Sequence, residues 1–184
     1  MARLIAFLRA INVGGHTVTM DVLRRHFAAL GLDDVETFIA SGNVIFTSGT
    51  RDLAALERRI ERRLEDGLGY EVATFLRTEA EVAAIARYLP FPAERMRAAG
   101  SMSVGFLAAA PSPADKKVIL GLKTDNDAFH VNGREVYWMC ATGQGESKMS
   151  NVQFEKTVKR RVTFRGLRTV ERLAARLGAE GRSG

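Results

Sequence analysis

The chain has 184 residues, of which 46% are hydrophobic and 26% are charged. That length predicts one domain or two small ones, and the composition is typical of an ordinary globular protein. No run of about 18 apolar residues occurs, which excludes a membrane-spanning helix. Arg9 interrupts the N-terminal apolar run too early for a signal peptide, so the sequence predicts a cytoplasmic protein without a membrane partner.

Positive charge is concentrated in the last fifth of the chain. The formal net charge is +6, and residues 148–184 hold ten Lys or Arg side chains against three Glu. Such an asymmetry favours an anionic partner, either a small molecule or a nucleic acid. The alternative interpretation is a basic helix face that is only solvated.

The first half reads as strand, helix, two strands, helix and strand. Apolar alternation and helical spacing predict these elements at 4–8, 20–30, 35–39, 44–46, 53–66 and 70–76. Thr19 and Asp52 are the predicted helix caps, and residues 40–43 are the predicted hairpin turn. Residues 57–63 alternate in charge, which predicts a solvated helix face. The order βαββαβ is that of a ferredoxin-like unit.

The second half repeats this order. Thr78 and Glu81 form a capping-box pattern that opens a connecting helix, and Ser112 precedes a helix with proline at its first turn. Asn132-Gly133 indicates a two-residue hairpin. We therefore expect an α+β fold of two tandem ferredoxin-like units with antiparallel sheets and a C-terminal helix. The expected division is a first unit with its connecting helix at 1–89, a linker at 90–100, and a second unit with basic C-terminal helices at 101–184.

Two features recur at one offset. The glycines Gly42 and Gly133 lie 91 residues apart, as do the Leu-Arg-Thr tripeptides at 76–78 and 167–169. Duplication of one unit explains this repetition, whereas the alternative is chance similarity in a chain rich in Ala and Arg. The opening strands align at an offset of 99, so the first half holds about eight extra residues. Residues 11–18 are the natural place for them.

The first candidate site follows the opening strand. Arg9, Asn12, Gly14 and Gly15 place a guanidinium, an amide and two glycines between a strand and a helix. Glycines allow the backbone to approach an anion closely, and arginine binds phosphate or carboxylate as a planar fork. The alternative is an ordinary turn in which Arg9 pairs with a carboxylate.

The other candidate residues lie in three further segments. The loop before the 150–159 helix resembles a phosphate loop, but its order of residues does not match the P-loop motif, which disfavours nucleotide hydrolysis. An anion bound near that helix N-terminus is one interpretation and a surface loop is the other. Turn chemistry is the simpler interpretation for residues 41–43. The candidate ligand-binding side chains of these segments are Ser41, Asn43, Ser147, Lys148 and Arg165.

Catalytic and metal signatures are weak. The three histidines are scattered, no carboxylates cluster, and no nucleophile motif occurs, so we predict neither a metal site nor a cofactor. Cys140 is expected to be a buried thiol. Tyr137 and Trp138 are adjacent in a predicted strand and must face opposite sides, so the sequence does not support stacking of nucleic-acid bases on the sheet.

Four motifs occur together in a characteristic order. They are LRAINVGG at 8–15, ASGNVIF at 40–46, ESKMS at 146–150 and TFRGLRT at 163–169. Together they resemble the bacterial family called domain of unknown function 1697, whose members read LRGINVGG, SGNVVF, RSKL and TRNW. Here Ala10 replaces a glycine, Glu146 an arginine, and residues 166–167 an Asn-Trp pair. The resemblance implies an α+β fold of paired ferredoxin-like units and implies no established activity.

These observations lead to one main hypothesis and two alternatives. The main hypothesis is a protein that binds a phosphate-bearing or nucleic-acid ligand through the Asn-Val-Gly-Gly and Ser-Lys loops. One alternative is an enzyme acting on a small anionic substrate at the same place, with Lys148 or Arg9 stabilising charge. The other is an interaction scaffold that dimerises through its sheets. The sequence leaves both a monomer and a homodimer open.

Overall fold

The computed structural model describes residues 1–12 and 14–180, apart from the side chains of Ala40, Ser41 and Glu180. The chain forms two compact units, Met1–Val82 and Ala83–Gly184. Each contains one four-stranded antiparallel sheet. In the described part of the chain, no helix has the length and apolarity needed to cross a bilayer.

The first unit has the βαββαβ order that the sequence predicts. Its elements are β1 (Ala2–Leu8), α1 (Met20–Ala28), β2 (Asp33–Phe38), β3 (Ala40–Ser48), α2 (Leu53–Leu68) and β4 (Thr74–Thr78). The sheet order is β2-β3-β1-β4, which is the ferredoxin-like arrangement. Thr19 and Asp52 cap α1 and α2 through their side chains, as predicted. One face of the sheet packs on both helices through a buried apolar cluster that includes Leu4, Phe27 and Ile60.

Glutamate carboxylates accept hydrogen bonds from the backbone of the edge strand β4. Three of its backbone N–H groups donate to glutamate side chains at 2.8–2.9 Å: Thr74 to Glu61, Leu76 to Glu57, and Thr78 to Glu81. Glu81 in turn accepts within the predicted capping box, because its own N–H donates to the Thr78 hydroxyl. The expectation of a solvated face at 57–63 is wrong for Glu57, which is buried against the strand.

The second unit repeats the same connectivity. After α3 (Glu79–Arg87), which contains the division, and α4 (Ala93–Ala98), its elements are β5 (Ser101–Phe106), α5 (Pro113–Gly121), β6 (Asp127–Asn132), β7 (Glu135–Cys140), a 3₁₀ turn (Gln144–Glu146), α6 (Asn151–Val158), β8 (Thr163–Gly166) and α7 (Leu167–Glu180). The sheet order is β6-β7-β5-β8. The fold class predicted from the sequence is thus confirmed, including the C-terminal helix α7.

Strand register relates the two units residue by residue. β4 places Arg77 opposite Ile5, and β8 places Arg165 opposite Val104. Each guanidinium donates to the carbonyl of the residue before it, at 2.8 Å for Arg77 and 3.0 Å for Arg165. The strand register therefore matches Arg77 with Arg165. The alignment of the Leu-Arg-Thr tripeptides instead predicts a match between Arg77 and Arg168. Duplication itself stays a prediction.

The connections differ where the sequence expects a surplus. Residues 9–19 join β1 to α1, whereas the shorter segment 107–112 joins β5 to α5. Residues 90–100, which the sequence predicts to be a linker, contain α4. They lie inside the second compact unit, which begins at Ala83. The division into 1–89 and 101–184 stays a prediction.

Candidate functional site

The β1–α1 loop (residues 9–19) is fixed at both ends. The Arg9 N–H donates to the Ala73 carbonyl at 2.8 Å, which attaches the start of the loop to the residue before β4. The Val18 N–H donates to the Asn12 Oδ1 atom at 2.8 Å, so the amide of Asn12 closes the loop on itself. The Asn12 side chain therefore stabilises the loop conformation, and the residue is also exposed to solvent.

Tyr70 holds the middle of the same loop. Its hydroxyl donates to the Ile11 carbonyl at 2.7 Å, and its ring stacks on His16 with centroids 4.4 Å apart. Burial raises the pKa of Tyr70, so the phenol remains a hydrogen-bond donor at neutral pH. Sequence reasoning placed Tyr70 in a strand and missed this role. Its only local signal is an aromatic residue directly after the helix-ending Gly69.

The tip of the loop consists of glycines in left-handed conformations. Gly14 has φ +63° and Gly15 has φ +82°, and both are exposed. A Cβ built on Gly15 meets no atom within 4 Å, so the glycine is required by backbone conformation and not by packing. Ala10 also has a positive φ, of 55°, which strains a residue that carries a Cβ. This is the position at which the resembling family reads glycine.

The β2–β3 hairpin lies at the same edge of the sheet. β1 and β2 are both antiparallel to β3, so the loop after β1 and the hairpin after β2 leave the sheet on one side. The expected turn at residues 40–43 is wrong, because they belong to β3 and the chain reverses at Ile39, which has φ +64°. Asn43 is buried and donates to the Phe38 carbonyl at 3.1 Å, which holds the reversal. The Ser41 side chain lies outside the described residues.

Ser147 is anchored inward in the β7–α6 loop (residues 141–150). Its hydroxyl donates to Asp127 Oδ1 at 2.8 Å and accepts from the Met149 N–H at 2.9 Å. Lys148 is exposed and makes no ion pair with any residue that the structure describes. Ser147 and Lys148, which the sequence predicts to act together, thus differ in their surroundings: Ser147 is hydrogen-bonded to a buried carboxylate, and Lys148 is exposed at the surface.

Asp127, the first residue of β6, is the buried acceptor that holds this loop. Its carboxylate also accepts from Trp138 Nε1 at 2.8 Å and from the Thr124 hydroxyl at 2.9 Å. Burial raises the pKa of Asp127, but hydrogen bonds from Trp138, Ser147, Thr124 and Cys140 outweigh it, so the net pKa lies below the ordinary value. The carboxylate is therefore ionised at neutral pH. Cys140 is a buried free thiol, as the sequence predicts.

Arg165 lies near the end of β8, at the same edge of the second sheet as the β7–α6 loop. Its Nη1 atom donates to the Thr163 hydroxyl at 2.7 Å and to the Phe164 carbonyl at 3.0 Å. Burial lowers the pKa of Arg165 to about 10, so the guanidinium still carries its charge at pH 7.

A ring cluster covers part of the second sheet. The Tyr88 hydroxyl is hydrogen-bonded to His130 Nε2 at 2.8 Å, and the rings of Tyr88 and Tyr137 lie 5.3 Å apart. Burial, followed by the charge of Lys116, lowers the pKa of His130. Tyr137 and Trp138 are both buried, so neither ring offers a face to a base. Across residues 1–12 and 14–180, no group of His, Cys, Asp and Glu has the arrangement of a metal site.

Comparison with known proteins agrees with this fold. The profile of a family described as protein of unknown function, DUF1697, matches residues 1–137. Among solved structures, the conserved bacterial protein SP0830 from Streptococcus pneumoniae has 24% sequence identity and a TM-score of 0.71, covering 97% of this chain and 99% of its own. No curated protein matches the sequence. The matched range includes the β1–α1 loop and ends before Ser147.

Proposed function

Given that the chain belongs to the DUF1697 family, which is described only as of unknown function, we propose that it binds a small phosphate-bearing ligand at the β1–α1 loop. The ligand would contact the exposed tip at Gly14 and Gly15, beside Arg9 and Asn12. The β7–α6 loop is a weaker candidate for the ligand site, because the Ser147 hydroxyl already donates a hydrogen bond to Asp127.

The observation that carries the proposal is an exposed glycine tip on a fixed frame. The hydrogen bonds to Ala73 and from Tyr70 attach the loop to the rest of the unit, and the bond from Val18 to Asn12 closes it on itself, while a side chain on Gly15 would meet nothing. A loop held in one conformation before binding loses little entropy on binding, which increases affinity.

The chemistry of the loop fits an anion. Glycine removes the side chain that would keep a ligand away from backbone N–H groups, and successive backbone N–H groups form anion-binding concavities. Arg9 adds a guanidinium at the first position of the loop, a group that binds phosphate through paired hydrogen bonds. A phosphate-bearing ligand matches both kinds of donor.

A small ligand is favoured over a nucleic acid. Part of the positive charge of the C-terminal segment is engaged within the second unit: Arg160 pairs with Asp115 at 2.6 Å, and Arg165 bonds to its own strand. Tyr137 and Trp138 are buried, which removes the stacking platform that sheets of this type use for bases.

The test compares two glycine variants. Gly15 and Gly31 both have φ between +70° and +85°, and a Cβ on either meets no atom within 4 Å. Gly15→Ala and Gly31→Ala should therefore destabilise the protein equally, by about 1 kcal/mol. Only Gly15→Ala should weaken binding, by about fivefold, because the strained loop leaves its binding conformation.

Binding is measured by calorimetry and thermal shift with inorganic phosphate, pyrophosphate, a hexose phosphate, a nucleoside diphosphate, and short RNA and DNA. Arg9→Gln should reduce the affinity for whichever phosphate compound binds, and Arg25→Gln on the exposed side of α1 should not. The proposal is wrong if both glycine variants bind like the original chain. Binding of oligonucleotides alone, with steep salt dependence, would favour the nucleic-acid interpretation instead.

A further inference from the structure

We propose that the second unit holds a separate site for a carboxylate attached to an apolar body, such as a medium-chain acyl carboxylate. The site is a cleft of about 710 Å³ that we call the α4–α7 cleft. Its walls are α4 with its flanking residues, the start of β5, and the β8–α7 junction. This volume lies in the range of small-molecule pockets, roughly 300–1,000 Å³.

The cleft has several apolar lining residues. Its larger apolar side chains are Leu89, Met96, Met102 and Leu167. Leu89 is 65% exposed, so a large apolar group stands open to solvent at the cleft without a partner to cover it. Methionine side chains are flexible and polarisable, and they adapt to ligands of differing shape. These side chains provide a surface for an acyl chain or a similar apolar body.

The lining also includes two arginines. They are Arg97 of α4 and Arg168 of α7, and both are exposed. Neither forms a hydrogen bond or an ion pair with a residue in the described ranges 1–12 and 14–180. An arginine fork binds a carboxylate through two parallel hydrogen bonds, and two such groups in one cleft favour an anionic head.

Glu171 affects which anion charge the cleft favours. It also lines the cleft, one turn along α7 from Arg168. Two arginines and one glutamate give the lining a net charge of +1, which matches a monoanionic carboxylate better than a dianionic phosphate. The preferred ligand therefore differs from the phosphate-bearing ligand proposed for the β1–α1 loop.

The frame of the cleft is fixed. The Gly100 N–H donates to the Ala141 carbonyl at 2.8 Å, and a Cβ on Gly100 would lie 2.4 Å from the Gly143 nitrogen. Only glycine fits at this position, so the start of β5 is held against the β7–α6 loop. On α4, the Arg95 guanidinium stacks on Phe91 at 5.8 Å, while Arg97 lines the cleft. The two arginines of this short helix thus have separate roles.

The experiment uses the full chain with ¹³C-methyl-labelled methionine and sodium octanoate as the probe. Two of the six methionines, Met96 and Met102, line the cleft. Their methyl signals should shift saturably with octanoate, whereas Met20 on α1 should not respond. Octyl phosphate and octanol, titrated separately, should bind at least about tenfold more weakly, because they carry the wrong head charge.

Two matched pairs of variants test the arginines. Arg97→Gln and Arg168→Gln should each weaken octanoate binding by about tenfold. Arg95→Gln on α4 and Arg172→Gln on α7, whose side chains do not line the cleft, should leave binding unchanged. The proposal is overturned if neither methionine responds to octanoate, if octanol binds equally well, or if all four variants behave alike. None of these outcomes affects the glycine test at the β1–α1 loop.

Discussion

Replacing Ser147 by alanine tests whether this residue anchors its loop. The change removes two hydrogen bonds of the hydroxyl: the one it accepts from the Met149 N–H at 2.9 Å, and the one it donates at 2.8 Å to a carboxylate that is only 4% exposed. A hydrogen bond to a charged group contributes about 1.5–3 kcal/mol. Because Trp138 and Thr124 still donate to Asp127, we expect the low end, about 1.5 kcal/mol, and a Tm lower by roughly 3–6 °C for a chain of this size.

The assay is urea unfolding followed by tryptophan fluorescence. Trp138 is the only tryptophan and donates to the same carboxylate oxygen as Ser147, so its emission reports on this network directly. Lys148→Ala is the control, since this exposed neighbour makes no ion pair among the described residues and should change stability by less than about 0.5 kcal/mol. A loss below about 0.5 kcal/mol for Ser147→Ala would refute the anchoring role.

The effect of Ser147→Ala should also depend on pH. The pKa of Asp127 is lower in the folded state than its ordinary value of 3.8. A carboxyl of this kind stabilises the fold above its unfolded pKa, and the contribution is lost as the pH falls through the folded pKa. The difference between the original chain and the variant should therefore be constant from pH 7 to 5 and shrink below about pH 4. A difference that stays undiminished down to the pH of acid unfolding would contradict the role of the charged carboxylate.

Three further predictions concern stability. Ala10→Gly should stabilise the protein by about 0.5–1 kcal/mol in urea unfolding, because glycine adopts the φ of +55° without strain; an unchanged midpoint would contradict this. Burial and the charge of Lys116 lower the pKa of His130, so stability should fall as the pH drops below about 6.5, and a pH titration of His130→Gln should show a shallower fall than the original chain. Glu57→Leu should cost about 1–3 kcal/mol and speed hydrogen exchange at the Leu76 amide, whereas Glu57→Gln, which keeps an acceptor, should cost less.

The features predicted well from the sequence depend on neighbouring residues. The predicted caps Thr19 and Asp52 are confirmed, as are the helix start at Ser112 and the capping box of Thr78 and Glu81. In each case the donor and acceptor lie within three residues, so the pattern alone specifies the bond. The βαββαβ order follows in the same way, since hydrophobic periodicity reports which face of each element is buried.

The features that sequence reasoning missed depend on distant partners. Glu57 reads as one member of a charged helix face, and only the position of β4 makes it a buried acceptor. Ser147 reads as a ligand-binding hydroxyl beside Lys148, but its partner Asp127 lies 20 residues away. The reversal at Ile39 uses a β-branched residue in a conformation that such residues rarely adopt, so no turn signal marks it.

The carboxylates along β4 restrict how copies of this protein associate. An edge strand ordinarily offers a row of N–H groups that a neighbouring chain can use to extend the sheet. In β4, helix side chains already occupy the amides of Thr74, Leu76 and Thr78. The opposite edge, β2, has register shifts and begins with the acidic pair Asp33 and Asp34, and both features oppose strand addition. The sheet of the first unit is thus limited to four strands, so a homodimer built by extending it is disfavoured at both edges.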